Sequence, residues 1–219
     1  MIFIGIDLTA SPRRASAYAV LRDDGSLADV GLVREDAELL ALAERWSPRV
    51  VAIDSPLFLP RGLCCLDEGC LHASCHNWTG EKRVAERELF RQGISLYWTT
   101  RKGFIKPMIK RAMGLGRALE ARGIPVIEVY PYASKVRLFG QPILKKTTPA
   151  GRRWLRERLE GLVPGLVEHE GRLGHDQLDA VVAAYTAYLH GRGLAEGVGD
   201  RDEGLIWVPA GYSPARGGI

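Results

Sequence analysis

No apolar run in this chain approaches the roughly 20 residues that a membrane-spanning helix needs, which predicts no transmembrane segment. The opening MIFIGID lacks the basic start of a secretory signal, and its short apolar run passes straight into an acid. Cysteine is scarce: all four lie between Cys64 and Cys75, so no disulfide framework is spread along the chain. Together these absences predict a cytoplasmic protein, and in a reducing compartment four clustered cysteines favour a metal site or free thiols. There is no internal repeat and no low-complexity linker, which predicts a single domain over residues 1–219. A hydrophobic fraction of 46% with 26% charged residues excludes a disordered or fibrous chain. The net charge of +4 is too small to demand a polyanionic partner. Its Lys and Arg residues do gather in the second half, around 106–111, 135–137, 145–146 and 152–158, which permits one.

The regular patterns begin at once. Residues 2–6 form a nearly continuous apolar run ending at Asp7, the signature of a strand buried on both faces. Residues 17–21 and 27–33 read as two further strands, joined by the Asp-Gly hairpin signal in RDDGS. Residues 36–46 carry Leu39, Leu40, Leu42 and Ala43 on a helical period that Pro48 ends, and 49–54 is another apolar run closing on Asp54. Strand, helix, strand at this spacing predicts a crossover to a parallel neighbour. From about 56 to 106 the pattern loosens into a Cys-rich insertion, relieved by a helical stretch in EKRVAERELFRQGI. Beyond it, helices are predicted over 109–122, from Thr148-Pro149 to about 162, and over 177–189, with a strand at 125–129. The order predicts an α/β, RNase H-like fold: a mixed five-stranded sheet with flanking helices and the Cys-rich insertion after the fourth strand. The segment EGLIWVP is expected to dock on the body as a short apolar piece, and the glycine-rich tail after it to fray.

In an RNase H-like arrangement the first and fourth strands lie side by side and parallel, so their carboxyl ends, with Asp7 and Asp54, meet at one edge. The last helix begins near the same edge, and Asp176 and Asp179, three positions apart, share one of its faces. Taken singly, an Asp in a first helical turn is a favoured cap and an Asp after a strand is a turn-former. Four of them at positions that one fold brings together suggest a site instead. Clustered carboxylates repel and push a pKa up unless a cation is present, and hard oxygen ligands suit Mg²⁺ or Mn²⁺. Two such ions about 3.5–4 Å apart can activate water for phosphodiester hydrolysis. Glu128, at the end of the next strand, is either a further metal ligand or the structural partner of a basic residue.

With GIDLTAS, AIDSPL, ERELFRQGI, VIEVYPYASK, HDQLDAVVAAYTA and GDRDEGLIWVP in this order, the chain resembles the predicted RNase H-like nucleases catalogued as domain of unknown function 429, over essentially its full length. The resemblance implies the RNase H-like fold and a carboxylate site carried by Asp7, Asp54, Asp176 and Asp179. One departure stands out. Many RNase H-like nucleases carry a Glu in the first helix or on the fourth strand, where this chain offers the shorter Asp54.

The stretch CCLDEGCLHASCH concentrates Cys64, Cys65, Cys70 and Cys75 with His72 and His76. Thiolates and imidazoles suit structural Zn²⁺ or an iron–sulfur cluster, which would staple an insertion with little core of its own. Reduced thiols packed as small hydrophobes are the plain alternative. Basic residues beside Trp98, Phe104 and Trp154 are suited to a nucleic-acid groove, with charge on phosphates and rings for stacking, or are simply solvated faces. Glu203 lies either near the site or in a turn. The functional expectation is a metal-dependent nuclease acting on DNA or RNA. Two alternatives stand beside it: a phosphotransferase of the sugar kinase and ATPase core, whose phosphate loop GIDLTASPRRASAY resembles, and a non-catalytic nucleic-acid-binding module.

Overall fold

β1 (Ile2–Asp7) is the strand around which the sheet is laid. The computed structural model describes residues 1–11 and 13–211; the glycine-rich tail lies outside them. On one side β1 pairs antiparallel with β2 (Ser16–Arg22), which turns through Asp24-Gly25 into β3 (Leu27–Val33). The hairpin turn is built as its residues demand: Gly25 has φ +82°, and the Asp24 carboxylate accepts from the Ser26 N–H at 2.9 Å. α1 (Asp36–Trp46) opens with Glu38 reaching back to the Glu35 N–H at 2.9 Å and ends where Ser47 turns left-handed before Pro48. β4 (Val50–Asp54) then lies parallel to β1, in the predicted place.

The insertion that follows contains α2 (Ala73–His76) and α3 (Val84–Arg91). α4 (Lys106–Glu120) returns the chain to β5 (Val126–Val129), parallel to β4. Next come α5 (Pro131–Phe139), α6 (Pro149–Glu160), capped by the Thr148 hydroxyl accepting from the Gly151 N–H at 3.0 Å, and the long α7 (His175–Gly191). Among the described residues the sheet has seven strands, not five: β6 (Ala195–Gly199) and β7 (Leu205–Pro209) extend it in the order β3-β2-β1-β4-β5-β7-β6. The expected docking of EGLIWVP is therefore strand pairing, β7 lying parallel to β5. The reason lies in the insertion: Ala85 and Leu89 of α3 pack with Val198, Ile206 and Val208, covering the added strands.

Strand parity sorts the core into two layers. Phe3, Val50, Ala52, Ile127 and Val129 face α6 and α7, whereas Ile4, Ile6, Val51 and Ile53 face α1 and α4. α7 is apolar on nearly every side, as a helix laid across a sheet must be. It comes so near β1 that a methyl on Gly5 would collide with the backbone of Ala180 and Ala184. Glycine on the strand and alanines on the helix permit that approach. Its consequence is positional, because it sets the first turn of α7 beside the carboxyl ends of β1 and β4. No helix among the described residues is long and apolar enough to cross a membrane.

Candidate active site

Parity decides which strand acids reach this point. Asp7 continues the face of Phe3 and Gly5, and Asp54 continues that of Val50 and Ala52, so both emerge on the α7 side. α7 contributes Asp176 and Asp179 one turn apart at its N-terminus, where the helix dipole favours negative charge. Asp7 and Asp179 are buried, and Asp54 and Asp176 are half-buried. Asp54, Asp176 and Asp179 line a cleft of about 770 Å³ walled by Thr9, Lys145 and Tyr132, among others.

Two lysines stand within the acids. Lys146, on the irregular segment between α5 and α6, places Nζ 2.5 Å from Asp179 Oδ2, 3.9 Å from Asp7 Oδ2 and 4.0 Å from Asp176 Oδ1. Lys135 of α5, itself buried, donates to Asp179 Oδ1 at 2.8 Å. His175 adds an imidazole to the cleft wall, with Nδ1 2.6 Å from Asp176 Oδ1. Even so, the charge is not balanced. Burial, then the neighbouring Asp54 and Asp179, push the Asp7 carboxyl well above the ordinary carboxylate range, with Lys146 pulling the other way. Burial and Asp179 push Asp54 up to about 7. Against its own burial, the Lys146 ammonium is held charged by Asp179 and Asp7. Tyr130, burial foremost and then Asp54, is held firmly as a phenol and donates to the Ser95 carbonyl at 2.8 Å.

Among the described residues the aspartates are not drawn into a group as tight as that of the cysteines, but one observation favours a divalent cation beside them. Asp7 Oδ2 is buried without a hydrogen-bond partner. A buried carboxylate oxygen left in that state is costly, and a cation among the four aspartates would satisfy it.

Glu128 does not join the cluster. It pairs with Ile53 across the sheet, and so faces the layer opposite Asp54. There it accepts from Arg83 Nη1 at 2.8 Å and Nη2 at 2.5 Å and from the Leu57 N–H at 2.8 Å. Of its two expected roles it takes the structural one, fastening the insertion to the sheet. Glu203 acts similarly, accepting from the N–H groups of Arg61 at 2.9 Å and Val84 at 2.8 Å. The basic stretches also divide. Lys106, Lys110 and Arg111 pair with Glu68, Asp67 and Asp36, whereas Lys135, Lys145 and Lys146 belong to the cleft. Of the aromatics, Trp154 packs edge-on against Phe139 and Trp98 lies tilted against Phe90, while Phe104 is exposed and touches exposed Tyr97 on the cleft rim. Lys146, Lys135, His175 and Tyr97 were not among the expected site residues.

The four thiols of the insertion form a separate group, with all four Sγ atoms within 4.8 Å of one another; neither His72 nor His76 joins it.

Among solved structures, the chain is similar to a RuvC structure from Thermus thermophilus at 16% identity and a TM-score of 0.46, over 88% of this chain and 97% of that one. T. thermophilus RuvC in complex with Holliday junction substrate is similar at the same identity and score, over 88% of this chain and 96% of that one. No curated protein matches the sequence. The family model described as protein of unknown function, DUF429, matches residues 5–204, and the chain therefore belongs to the DUF429 family.

Proposed function

We propose that this protein is a divalent-metal-dependent nuclease that hydrolyses phosphodiester bonds of nucleic acid in the cleft above β1 and β4. The observation that carries the proposal is the convergence of Asp7, Asp54, Asp176 and Asp179 from three elements beside a lysine-walled cleft, with a buried Asp7 oxygen that has no hydrogen bond and only the Lys146 ammonium, 3.9 Å away, for a neighbour. These four residues would hold Mg²⁺ or Mn²⁺, which when bound supplies Lewis-acid charge at a phosphate and lowers the pKa of water.

The chain's own residues supply the rest. Lys135 fixes the Asp179 carboxylate through its 2.8 Å bond to Oδ1, while Oδ2 is held by Lys146. Lys145 and Lys146 give the wall the positive charge that a phosphate backbone requires. Lys146, whose ammonium stands 2.5 Å from Asp179, is placed where it could meet a phosphate oxygen if the aspartates held an ion. His175, beside Asp176 on the cleft wall, is the imidazole there that can accept a proton or return it to a leaving oxygen. Tyr97 and Phe104 on the rim offer faces on which unpaired bases stack. The phosphotransferase reading has less support, because the hydroxyls of the loop after β1 are engaged within the protein: Thr9 donates to the Arg14 carbonyl at 2.8 Å, and Ser16 accepts from Arg111 at 3.1 Å.

The test is cleavage of labelled single-stranded, double-stranded and branched DNA and RNA with Mg²⁺ or Mn²⁺, beside Asp7→Asn and ion-free controls. Ion-dependent cleavage lost in the variant is expected. Intact substrates throughout, with folded and ion-supplied protein, would overturn the proposal, and ATP turnover in a parallel arm would move it to phosphotransfer.

A further inference from the structure

We infer that the insertion holds a single structural zinc ion on Cys64, Cys65, Cys70 and Cys75, and that this ion fixes the fold of the loop 64–75, whose Leu66 packs on the start of α4. The inference is independent of the carboxylate chemistry. Four thiols drawn from a twelve-residue stretch converge on one point, every pair within 4.8 Å, with Cys64 Sγ 3.1 Å from Cys75 Sγ and 3.6 Å from Cys70 Sγ. Zinc–thiolate bonds of about 2.3 Å in a tetrahedron place sulfurs about 3.8 Å apart, which is the scale of this cluster. An iron–sulfur cluster would divide the four thiolates among two or four irons and so spread the sulfurs further. Two disulfides would draw the sulfurs into separate bonded pairs of about 2.05 Å rather than gather all four.

The surroundings supply a second observation. Backbone N–H groups point at the sulfurs: Cys64 donates to Cys75 Sγ at 3.3 Å and Asp67 to Cys65 Sγ at 3.4 Å, the kind of contact that orients thiolate ligands around a metal. Four thiolates on Zn²⁺ carry a net charge of −2, the four thiol protons leaving to solvent. Lys110, which also pairs with Asp67, and Arg117 line the hollow over Cys64 and Cys65. Arg101 gathers the loop from within, its guanidinium donating to the carbonyls of Asp67, Glu68 and Cys75.

The segment has little else to fold it. Its regular structure is the four-residue α2, and its apolar support is Leu66 packed with Ile105 and Ile109. Ile105 also lines the cleft that holds the aspartates. A metal staple here therefore steadies one wall of that cleft without taking part in its chemistry.

Protein purified in reducing, chelator-free buffer should contain one zinc per chain and no iron by mass spectrometry, with all four thiols unreactive to a thiol reagent until a mercurial releases the metal. A Cys64→Ser, Cys75→Ser double variant should lose at least nine-tenths of the zinc. Should that variant fail to fold, stripped wild type refilled with Co²⁺ should show thiolate-to-cobalt charge transfer of four-sulfur intensity. Stripping should abolish hydrogen-exchange protection over residues 63–77 while sparing α3, β1 and α7. Four freely reactive thiols with no metal, iron in place of zinc, disulfides in the reduced preparation, or unchanged protection after stripping would each overturn the inference.

Discussion

Asp54→Asn should stabilise the magnesium-free protein at neutral pH while abolishing its dependence on the ion. Burial and Asp179 raise the Asp54 carboxyl from 3.8 to about 7. In the unfolded chain it titrates near its ordinary value, so between about pH 4 and 7 the native state binds more protons than the unfolded one. Stability therefore falls as pH rises through that window: the favourable contribution is complete below about 4 and lost above 7. At about 1.4 kcal/mol per pKa unit, ionising Asp54 in the folded cluster costs about 4 kcal/mol at pH 7.5. An amide carries no charge but must still satisfy its own polar atoms, so recovery of roughly half, about 2 kcal/mol, is expected. For a chain of this size that is a Tm higher by at least roughly 4 °C. The assay is thermal unfolding of both proteins from pH 4.5 to 8, without chelator so that the cysteine site is left alone. The wild type should lose stability across the range, the variant much less, and Mg²⁺ should reverse the wild-type slope by binding the ionised cluster. A variant less stable than wild type at pH 7.5 without Mg²⁺ would refute the premise that the aspartates repel and await a cation.

Glu128→Gln should lower stability by about 3 kcal/mol, since it breaks a buried pair with Arg83, yet leave the half-saturating Mg²⁺ concentration of cleavage unchanged; a large shift in that concentration would restore Glu128 as a ligand. Lys146→Met should lower the Mg²⁺ needed for half-maximal cleavage several-fold, because the ammonium no longer competes for Asp179, and should weaken substrate binding; a higher Mg²⁺ requirement would argue that Lys146 assists the ion. Gly5→Ala should destabilise by about 1–3 kcal/mol in denaturant unfolding, as α7 is forced off β1. Wild-type stability in Gly5→Ala would mean that the close approach of helix and strand is not needed.

Much of this architecture is written in local patterns. β1, the β2–β3 hairpin, α1 and β4 announce themselves by apolar runs, an Asp-Gly turn and a proline stop, and each stands where its pattern predicts. What escaped were elements whose character depends on distant partners. β6 reads as AEGVG, with no strand signature, and becomes a strand because β7 offers it an antiparallel edge. α5 begins at Pro131 inside a stretch that reads as basic, and its buried Lys135 makes sense only opposite Asp179 from another helix. Lys146 is less legible still, since nothing in KKTTP says that the segment crosses to the carboxylates.

Glu128 shows that parity holds information which spacing alone does not. VVAID places Val50, Ala52 and Asp54 on one face of β4, and VIEV places Ile127 and Val129 on that same face of β5, which sends Glu128 to the other. A strand acid at the right edge is thus a ligand candidate only if its index agrees with that of its neighbours. Applied to β1, the same rule puts Asp7 in step with Phe3 and Gly5, toward α7. The two faces then divide the labour. Acids on the α7 side gather with Lys135 and Lys146, whereas the acid on the α4 side is neutralised by Arg83 from the insertion. The insertion is therefore bound to the sheet at two points, through Glu128 on β5 and through Glu203 just before β7. Arg83 is fully buried and held by both Glu128 and Glu86, a linkage that leaves the insertion little freedom to leave the cleft wall.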